Sequence, residues 1–507
     1  MYDVIVKNAC IPQGDLTVKT NILVKDEKIA GFVDNIDNIA AKEIIDAGGH
    51  LTLPGCIDSH THFMDPGFEH RENFLTGSSA AASGGVTTVI DMPCCSKPSV
   101  RSVANLQNKL DKVKGKAIVD FAFWGGVTGE DVREGWLHNV QEQADAGVCA
   151  FKVYMTPSVP TYPKVSDAEM LECFRAVAKT GLPVGVHCED YSDCDYYAKK
   201  FQKEGRTDGP AWAEARLAVA EKAAIQMVID YAEDTGCRAH IVHMSTGIGG
   251  LLIGEAKKRG VNVTAEVCPH YLTLNAPEHM GEYKQFAKIA PPLRTRTDNE
   301  VLWNCLADGR VDFVATDHAP YEIATEKQDD VWTAFPGIPG VETMVPVIVS
   351  EGYNKGRLSL KRLVEVLCEN PARHYGLYPK KGALNIGSDA DFTIINLSKE
   401  WTIDKDKMYT MAKYTPFHGY KLKGKPFKTI LRGKVVYDDA QGVTVPQGYG
   451  QFVKRQSIQK LEKTISYNHK YIDPLELDLF KYGASLKELG QKVPEERLTL
   501  TGTRSYR

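Results

Sequence analysis

Between residues 56 and 370 the chain repeats one pattern: a short apolar run, a polar residue that closes it, then a longer amphipathic stretch. Extended segments are predicted at 87–92, 117–123, 150–153, 184–187, 239–244, 262–267 and 312–316. Helices are predicted between them, among them 167–180 and 211–235, the second rich in Ala, Glu and Lys, which favour helix. About eight such units over roughly 315 residues fit an α/β fold of the (β/α)8 barrel type, and fit a doubly wound sheet less well.

The two ends have a different texture. Short β-type runs at 3–6, 20–24 and 29–33 are separated by turn residues, and similar runs return at 391–395, 429–431 and 435–437. Residues 1–52 and 380–440 are therefore predicted to build one small composite β domain, with the barrel spanning 53–379. Residues 441–507 read as a C-terminal arm or tail, with charged, helix-like segments at 457–465 and 475–481.

Composition excludes several classes. With 61 basic against 65 acidic residues the net charge is −4, which gives no reason to expect a polyanionic partner such as nucleic acid. No apolar run reaches the 18 or so residues of a membrane span. The first ten residues, MYDVIVKNAC, carry charges inside a β-type run and do not resemble a signal peptide. Twelve cysteines without a CxxC pair, two of them adjacent at Cys94-Cys95, suit a reducing, cytoplasmic setting.

The chemistry concentrates at the ends of the apolar runs. Asp58-Ser59-His60-Thr61-His62 follows the apolar segment 51–57, and residues i and i+2 of an extended chain share a side. His60 and His62 can thus face one ion together, whereas Ser59, like Cys188 beside His187, points away. His187 closes 184–187, His243 closes 241–243, and Asp317 closes 313–317. In a barrel the carboxyl ends of the strands converge on one face. Four histidines and an aspartate delivered there predict a metal site for zinc or a similar first-row ion. Lys152 ends another run and, taken alone, reads more as a solvated lysine than as a ligand. Its neutral amine can react with carbon dioxide to give a carbamate, a reaction favoured by desolvation.

The chain resembles the cyclic amidohydrolases: hydantoinases, dihydropyrimidinases, allantoinases and dihydroorotases. The similar stretches are LPGCIDSHTHFMDPG (53–67), TGSSAAASGGVTTVIDMP (76–93), FKVYM (151–155), VHCED (186–190), VHMST (242–246), ATDHAPY (315–321), ENPAR (369–373) and GSDADFTI (387–394). The resemblance implies a (β/α)8 TIM barrel with a composite β domain, and two divalent metal ions, usually zinc. His60 and His62 would hold the more buried ion, and His187 and His243 the more exposed one. Carbamylated Lys152 would bridge them, and Asp317 would bind the first ion and shuttle the proton. It further implies a small-molecule cyclic ureide as substrate and a homo-oligomer, often a tetramer.

Within the group, Asp65-Pro66-Gly67 leans toward allantoinase and dihydroorotase. Met64 stands where dihydroorotases carry an arginine, and Pro157 where hydantoinases and dihydropyrimidinases carry a tyrosine. Allantoinases usually have asparagine at position 64 and differ at Cys94-Cys95. Opening of allantoin to allantoate is the first expectation. Hydantoinase or dihydropyrimidinase chemistry is the alternative, and a non-catalytic dihydropyrimidinase-like binding protein is disfavoured by the retained ligands. Candidate substrate contacts are Tyr154, Ser158, Pro291 and Gly340. The glycines 247, 249 and 250 lack a dinucleotide fingerprint and are read as close packing at a helix start.

Overall fold

The computed structural model describes residues 1–456. Its central body is a barrel of eight parallel strands: β1 (Cys56–Thr61), β2 (Val86–Asp91), β3 (Asp120–Phe123), β4 (Phe151–Tyr154), β5 (Pro183–His187), β6 (Arg238–Ile241), β7 (Val263–Val267) and β8 (Phe313–Val314). Every residue of β1 to β5 is buried. Such strands are covered on both faces, so their apolar residues run on without the alternation of a half-exposed strand, and the polar ones among them are buried too. Gly125 and Gly126 carry the pairing from β3 across to β4, and the ring closes where the amide of His62 donates to the carbonyl of His318 at 2.8 Å.

The connecting helices start and stop on local signals. Ser166 caps Asp167–Ala178, and Glu169 reaches back to the Ser166 amide, which satisfies amides that the first turn leaves unpaired. Ala218–Thr235 ends at Gly236 with φ 68°, a conformation that favours glycine. The single helix predicted over 211–235 is in fact two, Gly209–Ala215 and Ala218–Thr235, because Arg216 leaves helical geometry at φ −108°, ψ 73°. Tertiary pairing overrides propensity there, since its guanidinium turns inward to Glu189. The glycine-rich start of Gly247–Lys258 is a packing feature: a Cβ on Gly247 would lie 2.7 Å from Val301, and one on Gly250 2.8 Å from Cys305.

Strands from both chain ends share one nine-stranded sheet. Its seam is antiparallel, with Phe392 opposite Pro54 and Ile395 opposite Leu51. On one side of the seam lie Tyr2–Gln13, Leu16–Lys25 and Lys28–Val33; on the other lie Lys421–Leu431 and Lys434–Asp438. Leu51–Pro54 belongs to this sheet, so the chain passes into the barrel at Gly55. A Cβ there would sit 2.2 Å from Thr87 Oγ1, so only glycine fits. The buried Lys381 pins the sheet to the barrel, with Nζ 2.6 Å from Asp120 of β3 and 2.7 Å from Asp391.

The first part of the predicted tail packs on the barrel. The amide of Val453 donates to Phe121 at 2.8 Å, Phe452 stacks on Phe123, and Arg455 reaches the carbonyl of Val148. The segments predicted at 457–465 and 475–481 lie outside the described residues. Among the described residues no helix is long and apolar enough to cross a membrane.

Candidate active site

At the carboxyl end of the barrel, β1 runs into His62, β5 ends on His187, and β6 and β8 lead into His243 and Asp317. The last two have left-handed backbones, φ 38° and 50°, as does Met64 at 60°. Non-glycine residues hold such conformations where the surrounding structure imposes them, which is common at functional sites. Asp58 helps impose it here: its carboxylate accepts the Thr316 hydroxyl at 2.5 Å and the Thr316 amide at 3.1 Å, locking the end of β8 to β1.

Two convergence points result. Nε2 of His60 and Nε2 of His62 lie 3.2 and 3.0 Å from the same oxygen of Asp317. Nδ1 of His187 and Nε2 of His243 face each other at 3.2 Å. Lys152 is fully buried, and its amine has no hydrogen-bond partner. Nδ1 of His243 is likewise buried without one. Burial opposes the charged form of Asp317, but His60 and His62 outweigh it and hold the carboxyl well below the usual range. Burial also pushes the Lys152 amine below its ordinary value, against the pull of Asp317 and Glu266. Imidazole nitrogens and a carboxylate oxygen clustered this tightly, beside an unpartnered buried amine, are a donor set that fits metal ions.

Two carboxylates not anticipated from the sequence stand behind the histidines. Glu266, buried in β7, takes Nδ1 of His60 on one oxygen and Nε2 of His240 on the other, the latter at 3.2 Å. Glu189 accepts Nε2 of His187 at 2.6 Å and is gripped by Arg216. Both carboxyls are held at about 2: burial alone would raise them, and the charge and hydrogen bonds of their neighbours, His60 and His240 at Glu266 and Arg216 and His187 at Glu189, more than reverse it. Outer partners of this kind fix the tautomer and ring orientation of a ligating histidine. Glu189 stands two residues after His187, on the same side of an extended chain, and a charged residue inside the apolar run 262–267 marks Glu266. Both signals were legible.

Above this floor opens a cleft of ≈ 320 Å³ whose wall includes Tyr154, Ser158, Val159, Trp212, Trp332 and Phe335. Lys288, driven down to about 7 by burial, donates to the carbonyl of Val331 at 2.5 Å and so holds the Trp332 loop in place. Of the four predicted substrate contacts, Tyr154 and Ser158 line the cleft. Pro291 and Gly340 do not: the Pro291 carbonyl accepts from Tyr271, and the Gly340 amide is used on His318 at 3.1 Å. The Ser59 carbonyl accepts from Trp124, and the Cys188 thiol turns back to the Val186 carbonyl.

Several known proteins resemble this chain over most of its length. An L-hydantoinase of Paenarthrobacter aurescens is 37% identical over 90% of this chain and 99% of its own length. An allantoinase of Rubrobacter xylanophilus is 36% identical over 90% and 98%. The solved L-hydantoinase (dihydropyrimidinase) from Arthrobacter aurescens superposes with a TM-score of 0.86 at 36% identity, covering 90% of this chain and all of that one. A dihydropyrimidinase from Brevibacillus agri gives 0.83 at 29% identity, over 90% and 99%. Residues 51–436 match the family described as "Amidohydrolase family". The match runs from the strand that feeds the barrel to the last long strands of the composite sheet, and this chain belongs to the amidohydrolase family.

Proposed function

We propose that the chain hydrolyses the amide C–N bond of a cyclic ureide, in the first instance opening allantoin to allantoate. The observation that carries this reading is the Lys152 amine, buried without a hydrogen-bond partner near His187, His243 and Asp317. Two divalent ions, zinc by resemblance, would be held by His60, His62 and Asp317 on one side and by His187 and His243 on the other. Lys152, carbamylated, would ligate both, and its lowered pKa favours the neutral amine that carbamylation requires.

When bound, such a pair supplies a water acidified toward neutrality and an electrophile for the carbonyl oxygen. The remaining chemistry falls to the chain. Asp317, kept ionised, takes the proton of the attacking water and passes it to the leaving nitrogen as the ring opens. Glu266 and Glu189 keep His60 and His187 in single tautomers, so their ligating nitrogens stay unprotonated. Tyr154 and Ser158 stand on the cleft wall, where their hydroxyls can bind the polar edge of the ring.

A second reading, hydantoinase-type opening of a ring with an apolar substituent, is favoured by Trp212, Trp332 and Phe335 at the cleft. It also agrees with the L-hydantoinase among the relatives. A panel of allantoin, hydantoin, dihydrouracil and cyclic imides, followed by ring-opening absorbance, separates the two. Protein purified without chelator that never carries about two ions per chain would sink both. A cytoplasmic homo-oligomer, a tetramer by resemblance, completes the proposal, and light scattering on the purified chain tests the assembly.

A further inference from the structure

Cys94 and Cys95 follow β2 at the site end of the barrel, and nothing in the proposed reaction uses them. Their Sγ atoms are 3.7 Å apart. Cys95 lines the cleft. Cys94 lies behind it, fully buried, its sulfur 3.1 Å from the Tyr154 hydroxyl and 3.5 Å from Nδ1 of His62. Both sulfurs and a ring nitrogen of His62 fall within 4.8 Å of one another. All twelve cysteines are free thiols. One other close pair, Cys56 and Cys368 at 3.7 Å, is fully buried in the core. The adjacent pair is therefore a dithiol with an entry path, in direct contact with a candidate metal ligand and a candidate substrate contact.

We propose that Cys94 and Cys95 form a vicinal dithiol site, open to the catalytic cleft, for a thiophilic electrophile of the trivalent arsenical type, and that its occupation disables the enzyme. The chemistry balances without an oxidant. An arsenoso group, R–As=O, takes both thiols: two S–H bonds and the As–O bond break, two As–S bonds form, and the oxygen leaves with both protons as water. Arsenic stays trivalent. A small, polarisable centre that binds two thiolates matches sulfurs already this close, whereas a hard cation has no preference for them.

Occupation would act on the site by two routes. Bridging draws the Cys94 sulfur away from His62 and Tyr154, loosening the outer support of one metal ligand and one wall residue. The organic substituent, carried on the cleft side by Cys95, takes space from the ≈ 320 Å³ that a ring substrate needs. The activity effect rests on the proposed function; the adduct itself does not.

The test is treatment of the metal-loaded enzyme with phenylarsine oxide, followed by intact mass, peptide mapping and ring-opening activity on whichever panel substrate turns over. Expected are one adduct per chain, mapped to the peptide containing Cys94 and Cys95, at least tenfold loss of activity, and reversal of both by a small dithiol but not by a monothiol. Cys95→Ala and Cys95→Ser should take up no adduct in the folded state. No adduct on the folded wild type, an adduct on Cys56 and Cys368 instead, equal labelling of the Cys95 variants, or full activity with the adduct in place would each overturn the inference. An adduct at the expected peptide in a protein inactive on every ring tested would instead refute the proposed function while leaving the dithiol site standing.

Discussion

Glu266→Gln is the substitution that isolates the charge behind His60, a candidate metal ligand. Three donors converge on this buried carboxylate: Nδ1 of His60 and the amide of His243, at 3.1 Å, on one oxygen, and Nε2 of His240, at 3.2 Å, on the other. A glutamine keeps the first oxygen and presents an NH2 to His240. His240 can adapt by moving its proton to Nδ1, which faces the Thr264 hydroxyl at 2.8 Å. The packing survives and the negative charge is lost. Outer-sphere partners of metal-bound histidines typically contribute about 10–100-fold in metal affinity, equivalent to about 1.4–2.8 kcal/mol. The assay is metal retention against increasing chelator, read by elemental analysis, with thermal unfolding of the metal-free protein as the control. The midpoint should fall by that factor while the metal-free unfolding temperature changes little. Glu266→Ala, in contrast, strands three buried donors at about 1–3 kcal/mol each, against a whole-domain stability of about 5–15 kcal/mol, and should compromise folding. Wild-type chelator resistance in Glu266→Gln would refute the claim that this charge supports His60.

Other outcomes are expected. Lys152→Ala should lose most activity, with partial rescue by short-chain carboxylic acids added to the buffer; full unaided activity would remove the carbamate. Asp317→Asn should retain the fold by circular dichroism and lose about 10²–10⁴ in turnover, the usual worth of a positioned general base. Glu342 accepts from the Ser83 hydroxyl at 3.0 Å and the Tyr409 amide at 2.9 Å, and burial raises its carboxyl to about 7. Its folded pKa lies above the unfolded value, so its contribution to stability is present in full below about 4.5 and is lost as pH rises through about 7. That contribution is at most about 3 kcal/mol and less to the extent that solvent reaches the partly covered residue. The unfolding temperature of Glu342→Gln measured from pH 5 to 8 should therefore fall less steeply than that of the wild type. Lys381→Met leaves Asp120, Asp389 and Asp391 buried without their shared cation and should cost about 3–5 kcal/mol by denaturant unfolding.

The barrel was legible because its strands are buried on both faces. Continuous apolar runs such as 184–187 leave no room for an alternative period, and the residue that ends each one must be polar because it meets the cleft. That rule found His62, His187, His243 and Asp317 one strand at a time. It says nothing about groups supplied across the barrel. Pro291 and Gly340 look like exposed turn backbone in the sequence, yet Tyr271 and His318, distant in the chain, have already taken their polar atoms. Trp212 and Trp332 belong to segments 120 positions apart and meet at 6.2 Å only because the loops are folded over the barrel mouth.

Arg216 joins the two kinds of information. Helix propensity carries 211–235 straight through it, yet the chain breaks there so that the guanidinium can grip Glu189, which orients His187. The break gives up backbone bonds that a continuous helix would make, a cost recovered only if the buried carboxylate needs a cation. Glu189 does, because burial without Arg216 would push it toward the neutral form and release its hold on His187. The lapse in the helix is thus a consequence of the site: a locally favourable continuous helix yields to a charge pair that positions His187, a candidate ligand. Such a position cannot be read from propensity, but a His-x-Glu at a strand end, followed by an arginine inside a predicted helix, is a pattern from which it can be anticipated.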